Sequence, residues 1–484
     1  MLNKTLLGSA AVIMAVVGAQ AADLPSKKAA PATYVKICDA YGAGFFFIPG
    51  TDTCIRLGGY VRAEYQYTPG KDMHNWMGNG VPSQLAKSQS TAGYEVRGRI
   101  DLDSRTPTSM GVARTFVRLR AANVSGIRGQ TQLLDANYYP AANGANTVNV
   151  DQSATGISIE SAMVQWAGFT FGVAPENYAM MPGIMYNGMP WAGFPNGIKQ
   201  IAYTATFGGG WSATVALEDR NDTFNASATN TVFATANQYN AQPATVANLA
   251  GNIRWDQAWG FAAVSGLVGN NSLREDATTN GAWPASVAWN AQQGPKTYSA
   301  YAIGGTVRIN LPMIAAGDYV IGSANYARGM TGALIGGGLT AVSNAAQRRE
   351  LGGMNRNDMN LAVTGGAGTV ANPWTVGSVA GWNVGAIFVH NWTGQLRSNF
   401  AAGYIEINPP TAAANITTWG KGRLAVGAAS LIYSPVRDLD IGLEFQYANV
   451  KNNVQNPTAA WVAAGRPGDS SNNYSTRLRV ERAF

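Results

Sequence analysis

Charge is the scarcest commodity in this sequence. Asp, Glu, Lys and Arg together supply 13% of its 484 residues, about half the ~25% usual in a soluble globular protein. Long apolar runs are scarce as well. Beyond the first 20 residues no stretch reaches the ~18 apolar residues of a membrane-crossing helix, which excludes a polytopic helical membrane protein. Histidine is limited to His74 and His390, and cysteine to Cys38 and Cys54. No HExxH, GxSxG, CxxC or Walker loop is present, so neither a metal site nor a cofactor is expected. Gly366 to Ala371 matches a dinucleotide-binding fingerprint by letters alone, in a loop with no helix to follow it. What fills the space instead is 57 Gly and long Ala, Asn and Thr tracts, with 46% hydrophobic and 10% aromatic residues. That aromatic and aliphatic content is too high for disorder, and so much Gly with so little Glu and Lys excludes a coiled coil. The net charge of +7 is diffuse, with no Lys/Arg run, so no nucleic-acid partner is expected.

The chain opens with a short basic segment, Met1 to Lys4, then an apolar stretch from Thr5 to Gly18, then Ala19-Gln20-Ala21. This is the pattern of a cleaved signal peptide over residues 1–21, with Ala22 first in the mature chain. A membrane anchor is the alternative, but about 14 apolar residues are short for a span. Residues 22–54 form an N-terminal lead, rich in Pro, Lys and Ala as far as Thr33. In an exported chain, Cys38 and Cys54 are expected to pair, closing a loop worth about 3 kcal/mol; two buried thiols are the alternative.

From residue 55 onward, alternation with period 2 dominates. Leu439, Ile441, Leu443, Phe445 and Tyr447 alternate with Asp438, Asp440, Gly442, Glu444 and Gln446. The same reading gives sixteen strands, near 55–67, 91–104, 109–123, 155–167, 169–174, 199–207, 211–220, 248–257, 259–268, 298–310, 317–327, 377–390, 394–407, 421–433, 438–450 and 473–484. Their connections alternate between short, as at Thr106–Thr108 or Gly208–Gly210, and long, as at 124–154 or 328–376. One end of an up-and-down sheet therefore carries tight turns and the other carries large loops. This is the asymmetry of an outer-membrane barrel with short periplasmic turns and long extracellular loops. Two features agree with it, and one position departs from the plain pattern. Trp166, Trp211, Trp259 and Trp392 sit at short turns, as an interfacial girdle requires. Phe484 closes an alternating strand with Leu478 and Val480 on its face. Arg482 shares that apolar face and would have to snorkel into the interface. The expected fold is all-β: a transmembrane antiparallel β-barrel of 16 strands over residues 55–484, in the outer membrane of a Gram-negative bacterium, with lipid and lipopolysaccharide around it.

The polar faces of the first three strands carry Arg56, Arg62 and Glu64, then Arg97, Arg99, Asp101 and Asp103, then Arg114, Arg118 and Arg120. Consecutive antiparallel strands make these one wall. Sixteen strands enclose a lumen too wide for side chains to fill, so the wall would border water. It could line a pore and weakly favour anions. Alternatively it is a solvated face with internal ion pairs, Arg97 or Arg99 with Asp101 for instance. Segment 175–198 is rich in Met, Trp, Tyr and Gly, with Glu176 its one acid, and is apolar for an exposed loop. It is expected to fold inward and narrow the channel, with Glu176, Tyr178 and Met181 in the constriction; a hydrophobic loop at a subunit interface is the alternative. His74 and His390 should lie at opposite ends, and no Ser/His or Asp/His constellation suggests an enzyme.

The block Lys36-Ile37-Cys38-Asp39-Ala40-Tyr41-Gly42-Ala43-Gly44-Phe45-Phe46-Phe47 and onward through Cys54-Ile55-Arg56-Leu57-Gly58-Gly59-Tyr60-Val61-Arg62 resembles the N-terminal block of the alphaproteobacterial general porins of Brucella and rhizobia. The likeness continues at Arg97–Asp103, Arg114–Arg120, Gln165–Gly172, Ala202–Ala205, Leu217–Asp219 and Glu481–Phe484. The resemblance implies a trimeric sixteen-stranded porin that passes small hydrophilic solutes and ions by diffusion, with an infolded third loop. A substrate-specific channel, or an adhesin or structural barrel with a closed lumen, would share the fold.

Overall fold

The computed structural model describes residues 36–69, 74–76, 82–84, 91–126, 154–189, 191, 197–219, 230–231, 238–242, 247–274, 296–334, 361–365, 375–414, 418–456, 459 and 469–484. The expected signal peptide, the lead as far as residue 35 and the Gly366–Ala371 segment lie outside these.

Sixteen strands follow one another up and down. They are β1 (Cys54–Tyr67), β2 (Ala92–Thr108), β3 (Gly111–Val124), β4 (Ala154–Trp166), β5 (Phe169–Ala174), β6 (Ile198–Gly208), β7 (Trp211–Asp219) and β8 (Asn248–Gln257). The second half runs β9 (Gly260–Arg274), β10 (Lys296–Asn310), β11 (Tyr319–Arg328), β12 (Ala380–Asn391), β13 (Leu396–Asn408), β14 (Thr418–Val436), β15 (Leu439–Gln455) and β16 (Asp469–Ala483). Each pairs antiparallel with the next, and β16 returns to pair with β1 from Tyr60↔Ala483 to Tyr67↔Thr476. Phe484 extends this seam, exchanging two 3.1 Å backbone hydrogen bonds with Gly59. Closure leaves the barrel without an edge strand, the condition for a β-structure to sit in lipid.

Short turns lie at one end. The β4–β5 turn places Ala167 at φ 50° and Gly168 at φ 86°, two left-handed residues in sequence, as a tight turn that follows the strand twist requires. Leu57, Val61, Tyr94, Val96, Ile100, Val264, Val268 and Leu443 are exposed on the outer face. Such a continuous apolar band has no place in water and suits acyl chains. Trp166, Trp211, Trp259 and Trp392 are all exposed beside short turns. Trp255 joins this girdle, stacked on Trp211 at 5.4 Å and edge-on to Trp259 at 5.8 Å. Arg482 snorkels: its guanidinium donates to the Arg437 carbonyl in the β14–β15 turn.

Cys38 and Cys54 form a disulfide with Cα atoms 6.1 Å apart, at the start of β1. It is buried with Phe45 as a small satellite core. Inside the barrel the two halves differ. The inward face of β16 and β1–β4 is charged. The inward face of β6–β15 is mainly small and apolar, with Ala202, Ala216, Ala250, Ala263, Ala302, Ala401 and Ala428 among its buried residues, interrupted by buried polar groups such as Glu218, Asn383 and Glu444.

Candidate functional site

The charged half-wall is set by strand register. Arg56, Tyr60, Arg62 and Glu64 alternate on β1 with the exposed Leu57 and Val61, so they project inward. Arg97, Arg99, Asp101, Asp103 and Arg105 do the same on β2, and Arg114, Phe116, Arg118 and Arg120 on β3. The register puts like charges directly opposite one another: Arg62↔Arg97, Glu64↔Glu95, Arg99↔Arg120 and Arg105↔Arg114. Such pairs destabilise a ladder.

Relief comes along the strands, diagonally across them, and at the directly opposed unlike pairs Asp101↔Arg118, Arg56↔Asp103, Arg62↔Glu481 and Glu64↔Arg479. Arg118 grips Asp101 through two 2.9 Å bonds. Arg114 grips Asp103 through bonds of 2.9 and 3.0 Å. Arg105 also donates to Asp103 at 3.0 Å, and Arg56 lies 3.9 Å from it. Arg97 lies 2.5 Å from Glu95, Arg99 3.3 Å from Asp101 and Arg120 3.4 Å from Glu160. On the closing strand Glu481 binds Arg62 at 2.5 Å, and Glu64 faces Arg477 and Arg479. The bidentate, partly buried pairs fix the guanidinium planes more firmly than a solvent-exposed pair would. Among the described residues of β16 and β1–β4, the wall holds ten arginines (Arg56, Arg62, Arg97, Arg99, Arg105, Arg114, Arg118, Arg120, Arg477, Arg479) against six carboxylates (Glu64, Glu95, Asp101, Asp103, Glu160, Glu481), an excess of four positive charges, with Glu444 of β15 opposite Arg477 at its border. Of the two intramural pairs anticipated from sequence, Arg99 meets Asp101 and Arg97 meets Glu95 instead.

The third long connection packs on the apolar half-wall. Tyr178, Met181, Met185, Met189 and Trp191 are buried in one cluster with the alanines of β6–β15, and Tyr186 is buried beside them. Glu176 is partly exposed at its start. Residues 190 and 192–196 lie outside the described residues. The segment is tied down at both ends. At the near end, the Asn177 amide donates to Glu218 at 2.8 Å, and Asn252 donates to the Asn177 carbonyl at 2.8 Å. At the far end, the backbone amides of Tyr186 and Asn187 donate to Glu444 at 2.8 and 2.7 Å. Arg477 donates to the Tyr186 carbonyl, and the Arg479 guanidinium lies 3.8 Å from the Tyr186 ring centre. Two wall glycines make room. A Cβ at Gly442 would collide with the Tyr186 hydroxyl, and one at Gly385 would sit 2.7 Å from the Trp191 ring. Residues Thr331–Leu334, opening the sixth long connection, are also buried on this wall. The Asn383 amide donates to the Leu334 carbonyl there.

At the short-turn end, Asp318 is buried. His390 Nδ1 lies 2.5 Å from its Oδ2, and the Asn391 amide donates at 2.8 Å to Oδ1. Burial pushes the Asp318 carboxyl up, but the hydrogen bonds from His390 and Asn391 outweigh it and hold the group below the usual carboxylate range. His74 is on the far side of β1, at the long-loop end. The two histidines share no site.

Sequence reasoning missed Arg477, Arg479 and Glu481, which join the wall only through the β16–β1 seam. The signal was available: they alternate with Leu478 and Val480 on β16. It also missed Glu218 and Glu444 as anchors of the loop, because nothing in a strand pattern says which loop returns to it.

Residues 23–476 match the family described as the Porin subfamily. The chain belongs to this family. Among related porins, Omp2b of Brucella canis is 30% identical over 294 residues, covering 59% of this chain and 68% of that protein. Omp2a of Brucella ovis is 29% identical over 285 residues, covering 57% of this chain and 72% of that protein. Among solved structures, the outer membrane channel DcaP of Acinetobacter baumannii shares the fold, with a TM-score of 0.56 at 14% identity over 90% of this chain and 99% of that one. The porin is thus an outer-membrane protein of a Gram-negative bacterium and a diffusion channel for small hydrophilic solutes. Its family makes it a channel former rather than an enzyme.

Proposed function

We propose that the aqueous passage of this porin runs along the arginine wall of β16 and β1–β4, and that segment 175–198 narrows it from the opposite side. Arg56, Arg62, Glu64, Arg97, Arg99, Asp101, Arg114, Arg118 and Arg120 line the passage in this reading, and Glu176, Tyr178 and Met181 belong to the constricting loop. The observation that carries it is the division of the lumen. The apolar half-wall is already covered by the buried Met and aromatic side chains of the loop. The arginines keep part of their surface exposed, 30% for Arg118 and 25% for Arg120. A solute crossing the barrel therefore meets guanidinium groups, and the excess of positive charge favours anions.

The same reading places the signal peptide at residues 1–21, the disulfide-bearing lead at 22–54 and the barrel at 55–484. Three copies assemble as a homotrimer, as family membership supports, and the outward apolar band meets lipid and lipopolysaccharide. General diffusion is preferred over a substrate-specific channel because the ion pairs of the wall are spread over several strands.

The test is the reversal potential of single channels in a planar bilayer under a KCl gradient. The unaltered chain should give stable conductance steps with an anion preference. Replacing Arg118 and Arg120 together by Ser should weaken that preference. A clear cation preference in the unaltered chain, or saturable block by a single solute, would overturn anion-favouring general diffusion.

A further inference from the structure

Two aromatic rings of the arginine wall, and Phe45 of the satellite core at its edge, each contact two guanidinium groups. Phe45 has Arg56 at 5.1 Å and Arg105 at 4.9 Å from its ring centre. Tyr60 has Arg62 at 4.7 Å and Arg99 at 4.3 Å. Phe116 has Arg114 at 5.0 Å and Arg118 at 5.1 Å. All three rings are buried. Arg114 and Arg118 are two residues to either side of Phe116 on β3, so they approach it from opposite directions along the strand. Tyr60 meets Arg62 two residues along its own strand and Arg99 directly across the β1–β2 register.

Resting on the channel reading above, we propose that Tyr60 and Phe116 are specificity-determining positioning residues: they hold pairs of arginines in place within the wall without cancelling their charge. A guanidinium in a crowded wall needs something to lie against. A carboxylate would hold it but neutralise it. An aliphatic side chain would fill the space but offer no electrostatic attraction. An aromatic face attracts a cation through its quadrupole and carries no net charge. Phe116 occupies the position opposite Asp103, in a wall whose neighbouring inward positions are charged. A carboxylate there would remove one of the four excess charges. The ring keeps Arg114 directed to Asp103 and Arg118 directed to Asp101, each in its bidentate grip. It also keeps the two cations apart, one on each side. Tyr60 does the same for Arg62, bound to Glu481, and Arg99, bound to Asp101. The positive potential of the wall thus depends on two neutral rings that no charge count would single out.

The test compares volume with quadrupole. Phe116→Leu removes the ring face and retains an apolar side chain; Phe116→Tyr retains the face. Tyr60→Leu and Tyr60→Phe form a second, independent pair, which decides the question if Phe116→Leu does not assemble. Each full-length porin is inserted in a planar bilayer, and its single-channel conductance and KCl reversal potential are read. The expected result is an anion-to-cation permeability ratio lowered about two-fold or more in the Leu variants and unchanged in the ring-preserving ones. Conductance steps should persist in all of them. An anion preference that is the same in the Leu variants as in the unaltered chain, or that falls equally in the Tyr and Phe variants, overturns the proposal alone. An unaltered chain that passes no current or prefers cations overturns the channel reading and this inference together.

Discussion

Glu444 on β15 accepts hydrogen bonds from the backbone amides of Tyr186 and Asn187, at 2.8 and 2.7 Å, so one buried carboxylate holds the far end of the third loop to the barrel wall. The Asn187 side chain adds a third donor to the same group at 3.0 Å. Glu444→Ala would leave those donors facing an apolar methyl, a cost of about 1–3 kcal/mol for each unsatisfied buried group. The expected outcome is release of the loop from the wall. Single-channel conductance should rise, and liposome-swelling assays should admit larger sugars. An unchanged conductance would show that the remaining contacts hold the loop unaided.

Packing at the same point gives an independent probe. Gly442 has no room for a Cβ because the Tyr186 hydroxyl occupies that space. Gly442→Ala should therefore displace the Tyr186 ring, at the 1–3 kcal/mol typical of overpacking. The double variant Gly442→Ala/Tyr186→Phe removes the nearest atom but leaves two ring carbons 2.9 and 3.0 Å from the new Cβ, so it should recover only part of the lost thermal stability. The midpoint of the heat-induced shift in gel mobility measures both.

Much of the barrel could be read from period 2 alone, and the reason is physical. Where one face meets lipid and the other meets water, side chains must alternate, as on β15 from Leu439 to Tyr447. The alternation fades on β9, where Phe261, Ala263 and Leu267 face inward while Val264 and Val268 face outward. Both faces are apolar there because the third loop covers the inner one. The loop's own composition, with Met180, Met181, Met185 and Met189, already pointed away from water. Its anchors Glu218 and Glu444 had no such signature, and Arg477 and Arg479 join β1 only when the last strand closes on the first.

The disulfide at the start of β1 has a separable contribution. Replacing Cys38 and Cys54 together by Ser should lower stability by about 3 kcal/mol. It should leave the conductance of assembled channels unchanged, because the bond lies in the satellite core with Phe45 rather than among the pairs centred on Asp101. Thermal melting with and without reductant checks this. A large change in conductance would tie the lead to the passage itself.

Acid should act on the periplasmic end through Asp318. Its folded-state pKa lies below the ordinary carboxylate value, so its contribution is fully present above about pH 4 and is lost as pH falls through the lower folded value. The unaltered porin should therefore lose melting temperature below about pH 4. Asp318→Asn, which cannot ionise, should be less stable at neutral pH and should show a smaller drop in acid. Equal pH profiles for the two proteins would remove Asp318 from the acid response.

Whether solutes pass along the arginine wall is tested most directly by chemical accessibility. Cys38 and Cys54 are bonded to each other, and the sequence has no other cysteine. A single cysteine placed at position 118 by Arg118→Cys is therefore the only free thiol. A small anionic, thiol-reactive methanethiosulfonate added to the bath should modify it and produce a stepwise fall in single-channel current. Ala202→Cys, buried beneath the loop, should not respond. A current that is unaffected at position 118 but blocked at position 202 would contradict the proposed path and place the passage on the other side of the loop.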